Sequence, residues 1–225
     1  MPTASVSWPE LDAILASQLE QGCEALQLDL DARQRHSLLH YLELLVKWNR
    51  AYNLTAVRDP VQMVVRHLLD SLAIAPRLSG RRIIDVGTGA GLPGIPIAIV
   101  FPEREIELLD SNGKKTRFLF QVKTALRLDS MVVHHTRVES FQSSEPFDMV
   151  LSRAFASLPD MVTACRHLLA PGGRFLAMKG VYPAEELEEI AAWCDVQAVT
   201  PLDVPGLAEQ RHLVEMTLRQ NASSQ

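Results

Sequence analysis

The stretch Ile83-Ile84-Asp85-Val86-Gly87-Thr88-Gly89-Ala90-Gly91-Leu92-Pro93-Gly94 decides how this 225-residue chain is read. Ile83, Ile84 and Val86 have the unbroken apolar character of a strand buried on both faces, which predicts a parallel sheet covered by helices. Four glycines then fall within eight residues, and a helix follows them. Gly87, Gly89 and Gly91 can take positive φ and let a ligand lie directly against the main chain. Asp85 stands two residues before the first glycine, at the carboxyl end of the strand, where open α/β sheets hold their ligands.

The glycines alternate, and Leu92 occupies the position of the third glycine of a dinucleotide loop. The next strand, Ile106 to Leu109, runs into Asp110, which lies 19 residues after Gly91. An acid at that point accepts hydrogen bonds from both hydroxyls of a ribose. A pyrophosphate would favour the full glycine fingerprint and an open helix amino end. Here an acid lies beside the loop, and Pro93 and Pro96 stiffen its exit. A ligand with a ribose, no phosphate and a positive centre fits these residues, and S-adenosylmethionine has that chemistry.

Outward from the loop the pattern alternates. Helices are expected at 94–101, 112–127, 157–169 and 183–193, and strands at 83–86, 105–110, 131–135, 147–152, 173–178, 195–201 and 211–218. Such alternation predicts an α/β fold, a seven-stranded and mostly parallel sheet with right-handed crossovers. The last two strands are joined by a short link holding Pro201, Pro205 and Gly206, too short for a crossover helix, so they should form an antiparallel hairpin at one edge. Residues 1–76 read as a helical extension packed on the core, 77–220 as the sheet domain and 221–225 as a tail. In the extension, Ser7-Trp8-Pro9-Glu10 forms a capping-box pattern, and Leu11, Ile14, Leu15, Leu19 and Leu26 make a helical stripe. A second helix is expected from about Asp31 to Tyr52, and a third from Asp59-Pro60, interrupted by His67, Asp70 and Ser71.

Composition narrows the function classes. The net charge is −5, which argues against a protein that simply coats nucleic acid. Its distribution is uneven: residues 1–31 hold six acids and no Lys or Arg, 183–225 hold eight acids and two bases, and 32–182 hold 20 bases and 13 acids. A basic middle suits a phosphate-bearing partner, although ordinary solvated side chains account for it equally well. No apolar run approaches the ~20 residues that span a bilayer, so no membrane partner is expected. Cys23, Cys165 and Cys194 are odd in number and widely spaced, the pattern of buried reduced thiols, and no metal site is expected.

Three further places carry candidate chemistry. Arg137-Val138-Glu139 and Ser152-Arg153 end two strands on the same rim as Asp85 and Asp110, which would let Glu139 face a base and Arg153 reach a carboxylate. Trp48-Asn49-Arg50-Ala51-Tyr52-Asn53 is either a helix end whose asparagines satisfy free carbonyls or a substrate-facing cluster. Lys114, Lys115 and Arg117 crowd a helix amino end, where positive charge opposes the dipole; a partner phosphate or plain solvation offsets it. From the residues alone the reading reaches a cofactor-binding methyltransferase, with nucleic acid and small metabolites both open as substrates and a non-catalytic cofactor sensor as the alternative.

Asp85-Val-Gly-Thr-Gly-Ala-Gly-Leu-Pro-Gly-Ile-Pro96, Leu108-Leu-Asp-Ser111 and Ser152-Arg-Ala-Phe-Ala156 together resemble the ribosomal RNA small subunit methyltransferase G family, also called glucose-inhibited division protein B. Trp48-Asn49, Asn53-Leu54-Thr55, His67-Leu-Leu-Asp-Ser71, Lys179-Gly180 and Arg211-His212-Leu213 extend the likeness over roughly residues 40–215. The resemblance implies a class I, Rossmann-like, S-adenosylmethionine-dependent enzyme that methylates N7 of a guanine in 16S ribosomal RNA of the small subunit. With no apolar span and no long apolar seam in the sequence, a cytoplasmic monomer is expected. Cofactor contacts are then expected at Asp85, Gly87, Gly89, Gly91, Leu92, Asp110, Val138, Glu139 and Arg153, and catalytic positioning from Arg153, Asn49 and Lys179. Met178, where the family commonly has leucine, and Asn112-Gly113-Lys114-Lys115 depart mildly from the pattern.

Overall fold

In the computed structural model, residues 8–153 and 155–219 are described. The expected cap at Ser7 and the tail at 221–225 lie outside these residues. The amino end is helical. α1 (Trp8–Ala25) is followed by α2 (Ala32–Tyr52), which Asp31 and Gln34 start with a reciprocal capping box. Asp59 caps α3 (Pro60–Met63), which continues through a π-helical turn, Val64–Leu69, into α4 (Asp70–Leu72). The stripe on α1 is shifted from expectation: Leu15, Leu19 and Cys23 are buried while Ile14 is 48% exposed. Each helical position turns about 100° from the last, and Ile14 therefore falls beside the face that packs inward.

Among the described residues seven strands form one sheet: β1 (Arg82–Val86), β2 (Glu105–Asp110), β3 (Val132–His135), β4 (Phe147–Ser152), β5 (Leu169–Lys179), β6 (Cys194–Pro201) and β7 (His212–Leu218). Their order is β3-β2-β1-β4-β5-β7-β6. The first five pair in parallel, with α5 (Gly94–Val100), α6 (Gly113–Leu126) and α7 (Leu158–Cys165) in the crossovers. α8 (Ala184–Ile190) leads to β6, and β7 then turns back between β5 and β6, antiparallel to both. The edge hairpin contains the proline-bearing link, as its length requires. The helix expected at 157–169 ends earlier and β5 begins earlier than its pattern suggests. Leu169 already pairs with Phe147, before a bulge lets Arg174 resume the register opposite Met149.

The sheet separates two apolar layers, as alternate strand residues dictate. Ile83, Leu108 and Leu176 face α1, α2, α5 and α6 in one continuous core, and Ile84, Leu109 and Phe175 face α7 and α8 in the other. Trp48 of α2 packs on Phe118 of α6, with ring centroids 5.7 Å apart, so the amino-terminal helices lean on the crossover layer. Leu92 and Ala90 of the glycine loop belong to the same core, which ties the loop to both. A Cβ on Gly94 would lie 2.2 Å from Leu108 Cδ2 and 2.9 Å from Asp85 Oδ2. Gly94→Ala should therefore destabilise the fold by about 1–3 kcal/mol, the range for overpacking, read as a lower midpoint in urea at unchanged slope.

Candidate active site

Asp85 is fully buried beneath the glycine loop and holds both of its ends. Its Oδ2 accepts the Thr88 hydroxyl at 2.6 Å and the Gly94 N–H at 2.8 Å. Oδ1 has no partner among the described residues. Burial is the main cause that lifts this carboxyl from 3.8 to about 7; the bonds from Thr88 and Gly94 and the Arg153 charge oppose it, and Asp110 adds to it. Two other struts reach the loop. The buried Tyr41 hydroxyl of α2 donates to Ala90 O at 2.8 Å, and Ser152 Oγ at the end of β4 donates to Val86 O at 2.9 Å.

Of the polar positions expected on one rim, Asp110, Arg137 and Glu139 line one cleft and Arg153 a neighbouring one, while Asp85 and Ser152 are buried and line neither. The first, about 360 Å³, lies over the ends of β1, β2 and the turn after β3, and is lined by Gly87, Leu109, Asp110, Val138, Glu139 and Phe155. Gly87 has φ +68°, and a Cβ there would meet nothing within 4 Å, so open space faces the backbone. Asp110 accepts from Gly89 N–H at 2.9 Å and Asn112 N–H at 2.8 Å, with Lys115 Nζ 3.7 Å away. A carboxylate has about four acceptor sites, so capacity remains for a diol. Apolar walls, a bare backbone and two acids fit the adenosine part of S-adenosylmethionine. Asn112 also caps α6, accepting the backbone N–H of Lys114 and Lys115, and of the basic side chains there Lys115 is answered within the chain by Asp110.

The second cleft, about 370 Å³, is lined by Arg66, His67, Asp70, Arg153, Lys179 and Arg211. Its centre is Asp70, 1% exposed. Oδ2 accepts Arg153 Nη1 and Oδ1 accepts Arg211 Nε, each at 3.0 Å. Arg153 Nη1 also donates to Arg66 O at 3.0 Å. That carbonyl is free because of the π turn: the Asp70 N–H, its partner in an α-helix, bonds Val65 O and His67 O instead. Lys179 is paired with Glu186 at 2.8 Å, and its Nζ lies 3.4 Å from Ala156 O on the wall of the first cleft.

The expected residues thus separate. Gly87, Asp110, Val138 and Glu139 line the first cleft; Asp85 and Leu92 lie under the loop; Gly89 and Gly91 shape it. Arg153 and Lys179 line the second. Asn49 reaches neither: it is buried, donating to Val57 O at 3.2 Å and accepting Thr55 N–H at 2.9 Å, and Thr55 Oγ1 in turn meets His67 Nε2 at 2.9 Å. Sequence reading assigned no role to Tyr41 or Asp70. An acid in the apolar stripe of a helix was the available signal for Asp70, since a buried carboxylate requires a cation. Among the described residues no group of three or more His, Cys, Asp or Glu could hold a metal, and Cys23, Cys165 and Cys194 are free and buried.

Strand order, glycine loop and the acid ending β2 define a class I S-adenosylmethionine-dependent methyltransferase. A glycopeptide N-methyltransferase solved with S-adenosyl-L-methionine superposes with a TM-score of 0.59 at 13% identity, covering 68% of this chain and 87% of that one. A SAM-dependent methyltransferase from Geobacter sulfurreducens gives 0.53 at 13%, covering 79% and 98%. These likenesses concern the fold. The chain belongs to the rRNA small subunit methyltransferase G (GidB) family, whose model matches residues 34–214. It is 55% identical over 200 residues to the Ribosomal RNA small subunit methyltransferase G of Pseudomonas paraeruginosa, covering 88% of this chain and 94% of that protein. It is 51% identical over 208 residues to that of Vibrio vulnificus, covering 92% and 99%.

The Asp85 carboxyl yields a signed test. Its folded pKa lies above the unfolded value, so its contribution to stability is complete below about pH 4 and is lost as pH rises through about 7. Asp85→Asn keeps an oxygen acceptor for Thr88 and Gly94 and cannot ionise. Melting temperature of the variant minus that of the parent should climb as pH is raised from 4 through 7, whatever its constant offset.

Proposed function

We propose that this chain transfers the methyl group of S-adenosylmethionine to N7 of a guanine in 16S ribosomal RNA of the small subunit, and that it does so in the cytoplasm as a monomer. Family membership supports the reaction, and one feature of the geometry carries it: Lys179 of an arginine-rich cleft reaches to within 3.4 Å of Ala156 O on the wall of an adenosine-sized cleft, so the two lie side by side. A small-metabolite enzyme calls for an enclosed apolar pocket, whereas this second cleft is charged. No helix among the described residues is long and apolar enough to cross a membrane.

When bound, the cofactor supplies an electrophilic methyl on a sulfonium. Asp110 would accept the ribose hydroxyls, with Val138, Leu109 and Phe155 against the base, Glu139 at its polar edge and Gly87 and Gly89 offering bare backbone. Leu92, Gly91 and Asp85 would act from beneath by holding the loop. Guanine N7 has an in-plane lone pair and no proton, so no residue has to act as general base. Alignment alone is worth up to ~7–11 kcal/mol in well-oriented systems. Arg153, held by Asp70 and Arg66 O, and Lys179, held by Glu186, would place the base and its phosphate. Asn49 would position the wall through Thr55 and His67. In this reading residues 1–76 are an extension that completes the RNA side of the 77–220 domain.

Labelled methyl should pass from S-adenosylmethionine to unmodified small subunits, and borohydride and aniline treatment should then cut 16S RNA at one position. Label without cleavage would remove the N7 assignment, and absence of label would remove the RNA substrate. Arg153→Ala should lower kcat/KM by roughly 10²-fold, the scale of losing one preorganised charged contact; unchanged kinetics would take Arg153 out of the site.

A further inference from the structure

We propose that the arginine cleft seats the backbone of an RNA single strand, with Arg211 and Arg153 on one phosphate and Tyr182 stacked on a neighbouring base. The proposal rests on the reading of the chain as an RNA methyltransferase and adds residues to it.

Four cations line this cleft, and Asp70 is its one acid. A single buried carboxylate between two guanidiniums neutralises half their charge and fixes both in place. After the bonds to Asp70, Arg66 O and Gln210 O, Arg153 Nε and Nη2 and Arg211 Nη2 have no partner among the described residues. Preorganised guanidinium donors over a cleft suit a phosphate oxygen. Glu209 holds Arg66 in a substantially exposed pair, a contact that yields readily to a stronger anion, while Glu186 holds Lys179 in a part-buried one.

The aromatic element is independent of this charge. Beyond Lys179 the chain leaves the sheet as Gly180-Val181-Tyr182, with Val181 72% and Tyr182 55% exposed. Two large apolar side chains in succession in solvent serve no core. Yet the Tyr182 ring is held: it meets His212 edge to face at 5.9 Å, and the His212 Nδ1–H donates to Gly180 O at 3.1 Å. His212 pairs with Lys179 across β5 and β7 and follows Arg211, so the ring stands at the rim of the arginine cleft. A fixed, exposed ring beside a cationic groove is the arrangement that binds single strands, charge tracking the backbone and π-faces taking the bases.

The test uses a short labelled RNA single strand and the full chain, with S-adenosylmethionine affinity by calorimetry as the control for folding. Tyr182→Ala should weaken strand binding about tenfold and Tyr182→Phe should restore it to within about twofold, since stacking needs the ring and not the hydroxyl. Arg211→Gln should flatten the dependence of log K on log salt by about 0.7. Parent-like binding by Tyr182→Ala would overturn the stacking site. So would loss of methylation on assembled subunits with unchanged strand binding, which would assign the loop to a protein contact. Variants that weaken strand binding as stated would uphold the site even if the parent methylated no RNA, in which case only the functional reading would fall.

Discussion

One buried carboxylate carries the architecture. Asp85 reaches from the end of β1 to the Thr88 hydroxyl and the Gly94 N–H, and so closes the loop between them like a clasp. The cost is a carboxyl in an apolar setting with one oxygen unanswered, which is why its proton is held to about pH 7. Once the clasp is closed, Gly87 turns its bare backbone to the cleft, Leu92 drops into the core and Gly89 N–H reaches Asp110. The loop is therefore preformed, and the cleft owes little of its shape to flexible side chains.

The second cleft solves a different problem, how to keep two arginines beside a sheet without letting them disperse. Asp70 does so from the interior. Removing it would leave two cations facing each other across a half-buried space. The carboxylate also joins distant parts of the chain: α4 supplies it, and the arginines stand just past the end of β4 and just before the start of β7. The helical extension and the sheet are bound together at the point where chemistry is expected.

Much of this was legible in the sequence, and for identifiable reasons. The glycine loop, Asp85 and Asp110 sit at fixed offsets from apolar runs, and the strand alternation is strong, so the sheet and the first cleft are dictated by local pattern. The edge hairpin was dictated by the length of a link. Asp70 could not be assigned the same way, because its partners lie 83 and 141 residues further on and only the folded sheet brings them together. Asn49 was ambiguous for the opposite reason: its bonds to Thr55 and Val57 are short-range, and polar groups that close a turn look in sequence like groups that await a substrate. Ile14 shows the limit of periodicity, since a stripe predicts a face but not its centre.

The π turn at Val64–Leu69 makes the second cleft a matter of chain length. A point substitution on that turn leaves the peptide frame where it is. A one-residue deletion would return the segment to the α frame, give Arg66 O back to the helix and rotate α3 by about 100° against α4. Arg153 would then lose an anchor that no side chain supplies. In relatives that keep this arginine in place, the distance in residues between α3 and Asp70 should accordingly vary far less than the residues that fill it.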